Sequence, residues 1–495
     1  MYNVRIRGDI MLTSTRKRLN VLPSEAVVKG ISQDGGLFIF ENAEDFVFDK
    51  SFLKLDYLGL AERVLSFVFD DFDINDIRRI ISNAYSKDNF DVPVDLKTFD
   101  KISFLELWHG PTHAFKDMAL TILGHLMVQA KKNVGDESKT LVLTATSGDT
   151  GSATLSGFAG TGIEAIVLYP HGGVSPVQEA QMQYFAQNGS KAFAVEQNFD
   201  FCQTLVKKVF TDKNVELENA KFSSANSINI GRLVPQIVYY FHSYLELCRN
   251  DKIKFGDKIN FSVPTGNFGN ILAGYIASKM GLPVNKFICA SNKNDVLTDF
   301  FNTGVYDRKR EFFKTISPSM DILVSSNLER LLYLASDCDY ELVSSLMKKL
   351  NDEGKYEIPQ SLKEKLSSFV SYSVDDANTK VQIKKEFEKN NYLIDPHTAV
   401  ALGAAEKYVE EYNDGLNLVV VSTASPYKFP EPVCESLGLE KGNNIFETIE
   451  IIESKTGAIA PKKIKALKNY QFNRIVWSSE EAEYKLRKIS GDKNV

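Results

Sequence analysis

Lys116 stands in the stretch His109-Gly-Pro-Thr-His-Ala-Phe-Lys-Asp117, between Phe115 and a mostly apolar run at 118–123. An ammonium group held against apolar surface is disfavoured relative to the free amine. Its pKa therefore falls, and it becomes a nucleophile near neutral pH. Lysines of that kind form Schiff bases with carbonyl compounds. The plain alternative is a helix-start lysine that keeps its charge in water along its stem, and Lys116 alone does not decide between the two.

Two turns add a second kind of chemistry. Thr144-Ala-Thr-Ser-Gly-Asp-Thr-Gly151 follows a strand-like run and opens a helix-like one. Free backbone N–H groups and the helix dipole favour an anion at such a junction, and Thr146, Ser147 and Thr150 add hydroxyl donors. Asp149 places negative charge beside that anion site, so a capped turn and a cradle for a carboxylate stand as equal readings. Pro264-Thr-Gly-Asn-Phe-Gly-Asn270 repeats the order strand, turn, helix. Gly266 and Gly269 let the backbone curl around a phosphate, and Asn267 and Asn270, on either side of Phe268, supply amide donors. No Lys-Ser/Thr follows the second glycine, and the spacing is not GxGxxG. A small phosphate ester thus fits better than a dinucleotide, with a ligand-free glycine turn as the alternative. Thr423, after a third strand-like run, can hydrogen-bond a ring nitrogen. Arg16 can reach an anion, although a solvated basic turn accounts for it, and Asp395-Pro-His397 reads as a structural turn before a charge-assisted pair.

These turns need elements to position them. Strands are predicted at 141–144, 165–169, 192–195, 259–263, 287–290 and 418–421, and helices at 152–158, 176–187, 201–210, 228–248 and 271–280. Alternation of that kind means βαβ units and a parallel sheet, with ligands beyond the carboxyl ends of the strands, which is where the turns lie. Ahead of this region, residues 1–95 form an N-terminal domain with a strand at 37–40 and helices at 57–69 and 75–85. Residues 296–390 are more charged; amphipathic helices at 342–350 and 362–369 make them an elaboration of the large domain.

Composition narrows the class. The 495 residues are 43% hydrophobic and 25% charged, ordinary for a globular enzyme with a large core. A net charge of −6 argues against a nucleic-acid partner. The five cysteines, Cys202, Cys248, Cys289, Cys338 and Cys434, show no CxxC spacing, which points to a reducing compartment. No run resembles a secretory signal or a membrane span, so the expectation is a soluble, cytoplasmic protein with no membrane partner. The six histidines contain no HExxH, and no metal site is assigned.

In this arrangement the chain resembles the threonine synthases, pyridoxal-phosphate enzymes of the tryptophan-synthase-β type (fold type II). The likeness is carried by Ser14-Thr-Arg16, Gln33-Asp-Gly-Gly-Leu-Phe38, the Lys116 stretch, 144–151, Asn226-Ser-Ile-Asn-Ile-Gly-Arg232, 264–270, Ser317-Pro-Ser-Met-Asp-Ile322 and Thr423-Ala-Ser-Pro-Tyr-Lys-Phe429. It implies an α/β protein with two open-sheet domains of parallel type plus an N-terminal domain: 1–95, then a large cofactor-binding domain at 96–140 and 236–495, and a smaller mobile domain at 141–235. It also implies pyridoxal 5'-phosphate as cofactor, with Lys116 holding its aldehyde, Gly266, Asn267, Phe268, Gly269 and Asn270 around its phosphate, and Thr423 facing its ring nitrogen. A substrate site follows: Thr146, Ser147, Asp149 and Thr150 near the substrate carboxylate, and Arg232, with Arg16 as a second choice, on a substrate phosphate. The implied reaction takes O-phospho-L-homoserine and water to L-threonine and phosphate, in a monomer or homodimer. A threonine dehydratase, a β-replacement synthase and a non-catalytic phosphate sensor are the competing readings.

Overall fold

The computed structural model describes residues 10–211, 220–471 and 473–489. The opening residues 1–9, part of the stretch read above for a secretion signal, lie outside the described residues, as do 212–219, 472 and 490–495. Two sheets carry the chemistry. The larger has six strands in the order Phe369–Ser373, Val284–Ser291, Ile259–Pro264, Leu418–Ser422, Ile102–Glu106, Asp95–Phe99. All its pairs are parallel except the last, an antiparallel hairpin. Its central strands, Ile259–Pro264 and Leu418–Ser422, are buried at every residue, as strands covered on both faces by helices must be. Helices Gly269–Lys279 and Pro396–Tyr412 supply part of that cover.

The smaller sheet is all parallel, in the order Ile475–Trp477, Lys191–Val195, Glu164–Pro170, Lys139–Ala145, Ala220–Ser223. Its outer strand corrects the division above, which had placed the whole of 236–495 with the large domain. Residues 475–477 cross to the small sheet because Trp477 stacks on Phe193, ring centroids 3.7 Å apart, and is buried there. A second correction concerns 362–369. The helix stops at Lys365, and Phe369 opens an edge strand of the large sheet. Its ring lies among Phe287, Phe301 and Tyr275, and Phe369, Val370 and Tyr372 are residue types that favour the pleated form. The hairpin Asp95–Phe99/Ile102–Glu106 was not predicted. It turns at Asp100, whose φ of 53° aspartate tolerates, and it delivers the chain to Lys116.

Helices Asp149–Phe158 and Gly269–Lys279 both begin earlier than their apolar spacing suggested. A first turn is polar because its N–H groups lack intrahelical acceptors, so apolar periodicity under-reads it. Both turns belong to the site described below.

The N-terminal unit is a three-stranded antiparallel sheet of Lys17–Val21, Leu12–Ser14 and Phe38–Phe40, followed by helices Tyr57–Val68 and Ile74–Ala84. Tyr57, Leu60, Ala61, Val64, Leu65 and Val68 are buried, the 3–4 spacing of one helix face. Asp56 and Asp73 cap the two helices by accepting from Gly59 N and Asn75 N. That face packs on the long helix Ile230–Arg249, which also abuts Asp117–Asn133 and Gly269–Lys279. All five cysteines are free thiols, and no helix among the described residues is long and apolar enough to cross a membrane.

Candidate active site

The Lys116 loop is shaped by three contacts that its sequence dictates. Gly110 admits no side chain, since a Cβ there would lie 2.5 Å from the side chain of Asp117 and 2.7 Å from Phe90. Asp117 accepts from Thr112 N (2.8 Å) and Thr112 Oγ1 (2.6 Å); burial pushes its carboxyl up to about 6 against those hydrogen bonds. The loop is then sewn to the chain after Leu418–Ser422: Phe115 N donates to Thr423 O (2.8 Å), Ser425 N donates to His113 O (3.0 Å), and Ala114 bridges Ala424. Lys116 and Thr423 are therefore neighbours through the backbone. Lys116 is 8% exposed. Its Nζ lies 4.8 Å from the centre of the Phe115 ring, 3.4 Å from Asp149 Oδ2 and 3.3 Å from Ser319 Oγ. Burial lowers its pKa; Asp149 opposes that, and Arg232 and Lys428 reinforce it.

Asp149 resolves the puzzle its sequence position posed. It is the first residue of its helix, and both of its oxygens are taken. Oδ1 accepts from Gln178 Nε2 (2.9 Å) and pairs with Lys428 Nζ (3.0 Å), while Oδ2 faces Lys116 and accepts from Ser319 Oγ (3.2 Å). Burial pushes its pKa up, but Lys428 and Lys116 outweigh that and hold it well below the usual carboxylate range. A carboxylate engaged in this way is a counter-ion to lysines, not a ligand for the carboxylate of a substrate, which it would repel. Thr146 is likewise spent inside its own turn, its Oγ1 accepting from Gly148 N (2.9 Å) and Gly151 N (3.0 Å). Ser147 and Thr150 stay half-buried, beside N–H groups that have no intrahelical acceptor.

Ser319 joins this group to the glycine turn. Besides its two hydroxyl contacts, its N–H donates to His397 Nε2 (3.1 Å). Its carbonyl backs against Gly266, where a Cβ would lie 2.5 Å from it. An Nε2 that accepts leaves the proton on Nδ1, which donates to Asp395 Oδ1 (2.8 Å). Asp395 also caps helix Pro396–Tyr412. The structural-turn reading of 395–397 was therefore incomplete: the residues form both a cap and a buried pair.

The glycine turn carries the marks of a phosphate cradle. Ser325 Oγ donates to Gly266 O (2.7 Å) and Asn327 Nδ2 to Asn267 O (2.9 Å), so these carbonyls are bound on the far side of the turn. Phe268, at φ 63°, is left-handed, a strained form for a bulky residue, held against the rings of Phe301 and Phe369. Tyr239 and Tyr240 donate to Asn270 Oδ1 (2.6 and 2.8 Å), which fixes that amide; its Nδ2 is buried with no partner. A buried orphan donor at the positive end of a helix is suited to an anion, and a Cβ at Gly269 would meet nothing closer than 3.5 Å. Those residues fit the phosphate of pyridoxal phosphate.

The arginines divide sharply. Arg232 is 4% exposed, donates through Nη1 to Ala225 O (2.7 Å) and leaves Nε without a partner. Burial pulls its pKa down to about 10, and no ion pair with a carboxylate forms among the described residues, so it has room for an anion. Arg16 does not, for its guanidinium grips Glu329 through Nε and Nη2, both at 2.8 Å. Thr15 Oγ1 adds a third hydrogen bond to that carboxylate. Thr15 and Arg16 therefore tether the N-terminal unit to the helix Leu328–Ala335, next to Asn327, which binds the glycine turn. Sequence reasoning gave no roles to Lys428, Ser319 or Gln178, although Lys428 and Ser319 lay inside stretches that carried the resemblance. Elsewhere, Asp95, Glu106 and His109 bring possible ligand atoms within 4.8 Å of one another. Lys97 already binds Asp95, and Tyr392 donates to Glu106 Oε1 (2.6 Å), so hydrogen bonding accounts for the cluster.

Family models match along most of the chain: a pyridoxal-phosphate-dependent enzyme at 99–424, a threonine synthase N terminus at 11–85 and a threonine synthase C-terminal region at 398–470. The threonine synthase of Saccharomyces cerevisiae is 35% identical over 94% of this chain and 96% of its own. The crystal structure of threonine synthase from yeast superposes with a TM-score of 0.87 at 33% identity, covering 98% of both chains. The pyridoxal-phosphate-bound threonine synthase from Brucella melitensis gives 0.85 at 33% identity, over 97% of this chain and all of that one. The buried lysine, the glycine turn and these likenesses agree, and the chain belongs to the threonine synthase family of pyridoxal-phosphate-dependent, fold type II enzymes.

Proposed function

We propose that the chain converts O-phospho-L-homoserine and water to L-threonine and phosphate, with Lys116 as the catalytic amine. The observation that carries this reading is the contact of Lys116 Nζ with Ser319, the residue whose carbonyl backs the Gly266 turn; amine and phosphate cradle are thus parts of one site. Bound there, pyridoxal phosphate supplies an aldehyde for the substrate's amine and a ring that draws electrons from the α-carbon. Lys116 holds that aldehyde at rest. As a free amine Lys116 would take the α-proton, a role toward which burial, by lowering its pKa, inclines it. Asn270 Nδ2 and the backbone of Gly266, Asn267, Phe268 and Gly269 hold the cofactor phosphate, and Thr423 offers the ring nitrogen a neutral hydroxyl. Ser147 and Thr150 take the substrate carboxylate. Arg232 takes the phosphate that leaves the γ-carbon before water adds at the β-carbon.

Asp149, Ser147 and Thr150 ride on the small-sheet unit, while Lys116, Gly266 and Ser319 belong to the large one. We read the small unit, 141–235 with the outer strand Ile475–Trp477, as the part that closes over the substrate and excludes water. Slower amide exchange in helix Asp149–Phe158 on adding substrate is the expected sign, and unchanged exchange counts against closure. A monomer or homodimer is expected by sedimentation.

The reading is tested by incubating the loaded enzyme with O-phospho-L-homoserine, L-threonine or O-acetyl-L-serine and identifying the products. L-threonine and phosphate in equal amounts from the first support it. Turnover of only one of the other two substrates would transfer the chain to dehydration or β-replacement. Borohydride should trap the cofactor on Lys116, and Lys116→Ala should keep its fold while losing turnover by orders of magnitude.

A further inference from the structure

Lys428 is wholly buried, on the short helical turn Pro426–Lys428. Its Nζ has three partners: Thr112 O at 2.8 Å, Gln181 Oε1 at 2.7 Å and Asp149 Oδ1 at 3.0 Å. An ammonium has three N–H bonds; this one is engaged by two hydrogen bonds and one ion pair. Lys116 is held differently. It has two long contacts, 3.4 Å to Asp149 Oδ2 and 3.3 Å to Ser319 Oγ. One carboxylate is thus shared unequally between two buried lysines.

We propose that Lys428 is a positioning residue for the reaction proposed above: it is the standing counter-ion of Asp149, and by occupying Oδ1 it leaves the Lys116 nitrogen on Oδ2 free to shed its proton. The inference rests on reading Lys116 as the reacting amine. The charged or titratable groups around that nitrogen are Asp149 from helix Asp149–Phe158, Arg232 from the long helix, Lys428, the adjoining Asp117 and, behind Asp149, His397. Arg232 and Lys428 repel a proton at Lys116, and only Asp149 attracts one at close range. Because Lys428 draws that carboxylate to itself, it acts on Lys116 twice, by direct repulsion and by competition. A neutral side chain at 428 would return Asp149 to Lys116 alone and favour the protonated nitrogen.

The test uses the full-length enzyme loaded with pyridoxal phosphate, in wild type, Lys428→Met, Lys428→Arg, Asp149→Asn and the Lys428→Met/Asp149→Asn double variant. Two quantities are read: the pH midpoint of the visible absorbance band without substrate, and the acid limb of kcat/KM. Lys428→Met should raise both by about one pH unit, tenfold in the deprotonated fraction on the acid side. Lys428→Arg should bring the midpoint back toward wild type whatever its turnover, Asp149→Asn should lower it, and the double variant should fall between the two single ones. An unmoved midpoint in Lys428→Met, with kcat reduced equally at every pH, makes Lys428 merely structural and overturns the proposal. If Lys428→Met does not fold, Asp149→Asn decides, and an unmoved or raised midpoint there overturns it. The two readings fail separately. Shifted midpoints without turnover of O-phospho-L-homoserine sink the substrate assignment alone, and threonine formation with fixed midpoints sinks this one.

Discussion

Two helix N-termini in this molecule start from the same local design and end with different charge. At Asp149–Phe158 and at Gly269–Lys279 a strand runs into a turn with a left-handed or glycine cap, Gly148 at φ 135° or Phe268 at φ 63°. Each then offers N–H groups without intrahelical acceptors. The first turn of Asp149–Phe158 carries its own carboxylate, already paired with two lysines. The first turn of Gly269–Lys279 has no acidic residue and presents the orphan donor Asn270 Nδ2. The same backbone device thus carries a carboxylate of its own in one place and only neutral donors in the other. Which of the two a turn becomes depends on the charge that the rest of the fold brings to it.

The comparison is broken most severely at Gly266. A methyl group there must displace the Ser319 carbonyl, 2.5 Å away, and with it the hydroxyl beside Lys116. Misplacing catalytic groups by a fraction of an ångström to one ångström costs about 100-fold. Gly266→Ala should therefore lose turnover by about that factor and release cofactor on dialysis; a variant that keeps both would show that Ser319 and the cradle are not coupled. Asn270→Asp comes next and makes the second turn resemble the first. Aspartate still accepts from Tyr239 and Tyr240, and a carboxylate at a helix start suits the dipole, so the cofactor-free protein should melt no lower than wild type. Cofactor affinity should nevertheless fall by roughly tenfold or more, because like charges oppose each other. Unchanged affinity would remove the phosphate from this turn.

The difference between the two turns also marks how much the sequence could disclose. Alternating strands and helices gave the parallel sheets, and glycine, asparagine and hydroxyl residues at strand ends gave both turns, because these patterns are local. What settled the roles was not local. Asp149 is separated by many residues from Lys428, which binds one of its oxygens, and from Ser319, which binds the other; nothing at 149 itself announces them. Arg16 reads locally as a solvated basic turn or a weaker candidate for an anion, and neither reading points to Glu329, 313 residues away in sequence, which binds it. The edge strand at 369–373 and the outer strand at 475–477 were missed for a related reason. Both are short, and each is held by aromatic partners from distant parts of the chain, Phe287 and Phe193.

A smaller effect separates the turns by pH. Asp149 has a folded pKa below its unfolded value of about 4. Its contribution to stability is therefore present above pH ~4 and disappears as the pH falls toward the folded pKa. Thermal unfolding of Asp149→Asn should be well below wild type at neutral pH, and the gap should narrow as the pH is lowered through 4. Asp117 carries the opposite sign, since burial raises its pKa to about 6; its contribution is full below ~4 and is lost as the pH rises through 6. An Asp149→Asn gap that stayed constant with pH would mean that the buried lysines are neutralised elsewhere.

The smallest effect acts on the Asp149 turn without touching any charge. Ser175 caps helix Pro176–Phe185 in a reciprocal box, its hydroxyl accepting from Gln178 N (3.2 Å) while Gln178 Oε1 accepts from Ser175 N (3.0 Å). The other end of the same amide, Gln178 Nε2, holds Asp149 Oδ1, and Ser175 Oγ reaches Lys428 O at 3.2 Å. The cap therefore orients the glutamine that helps bind the shared carboxylate. Ser175→Ala should cost that helix about 1 kcal/mol, seen as roughly fivefold faster amide exchange in its first turns. It removes no charge near Lys116, so the pH midpoint of the visible band should stay with wild type while Lys428→Met moves it. A shift in Ser175→Ala as large as in Lys428→Met would mean that the position of Asp149, rather than the competing charge on Lys428, governs the proton on Lys116.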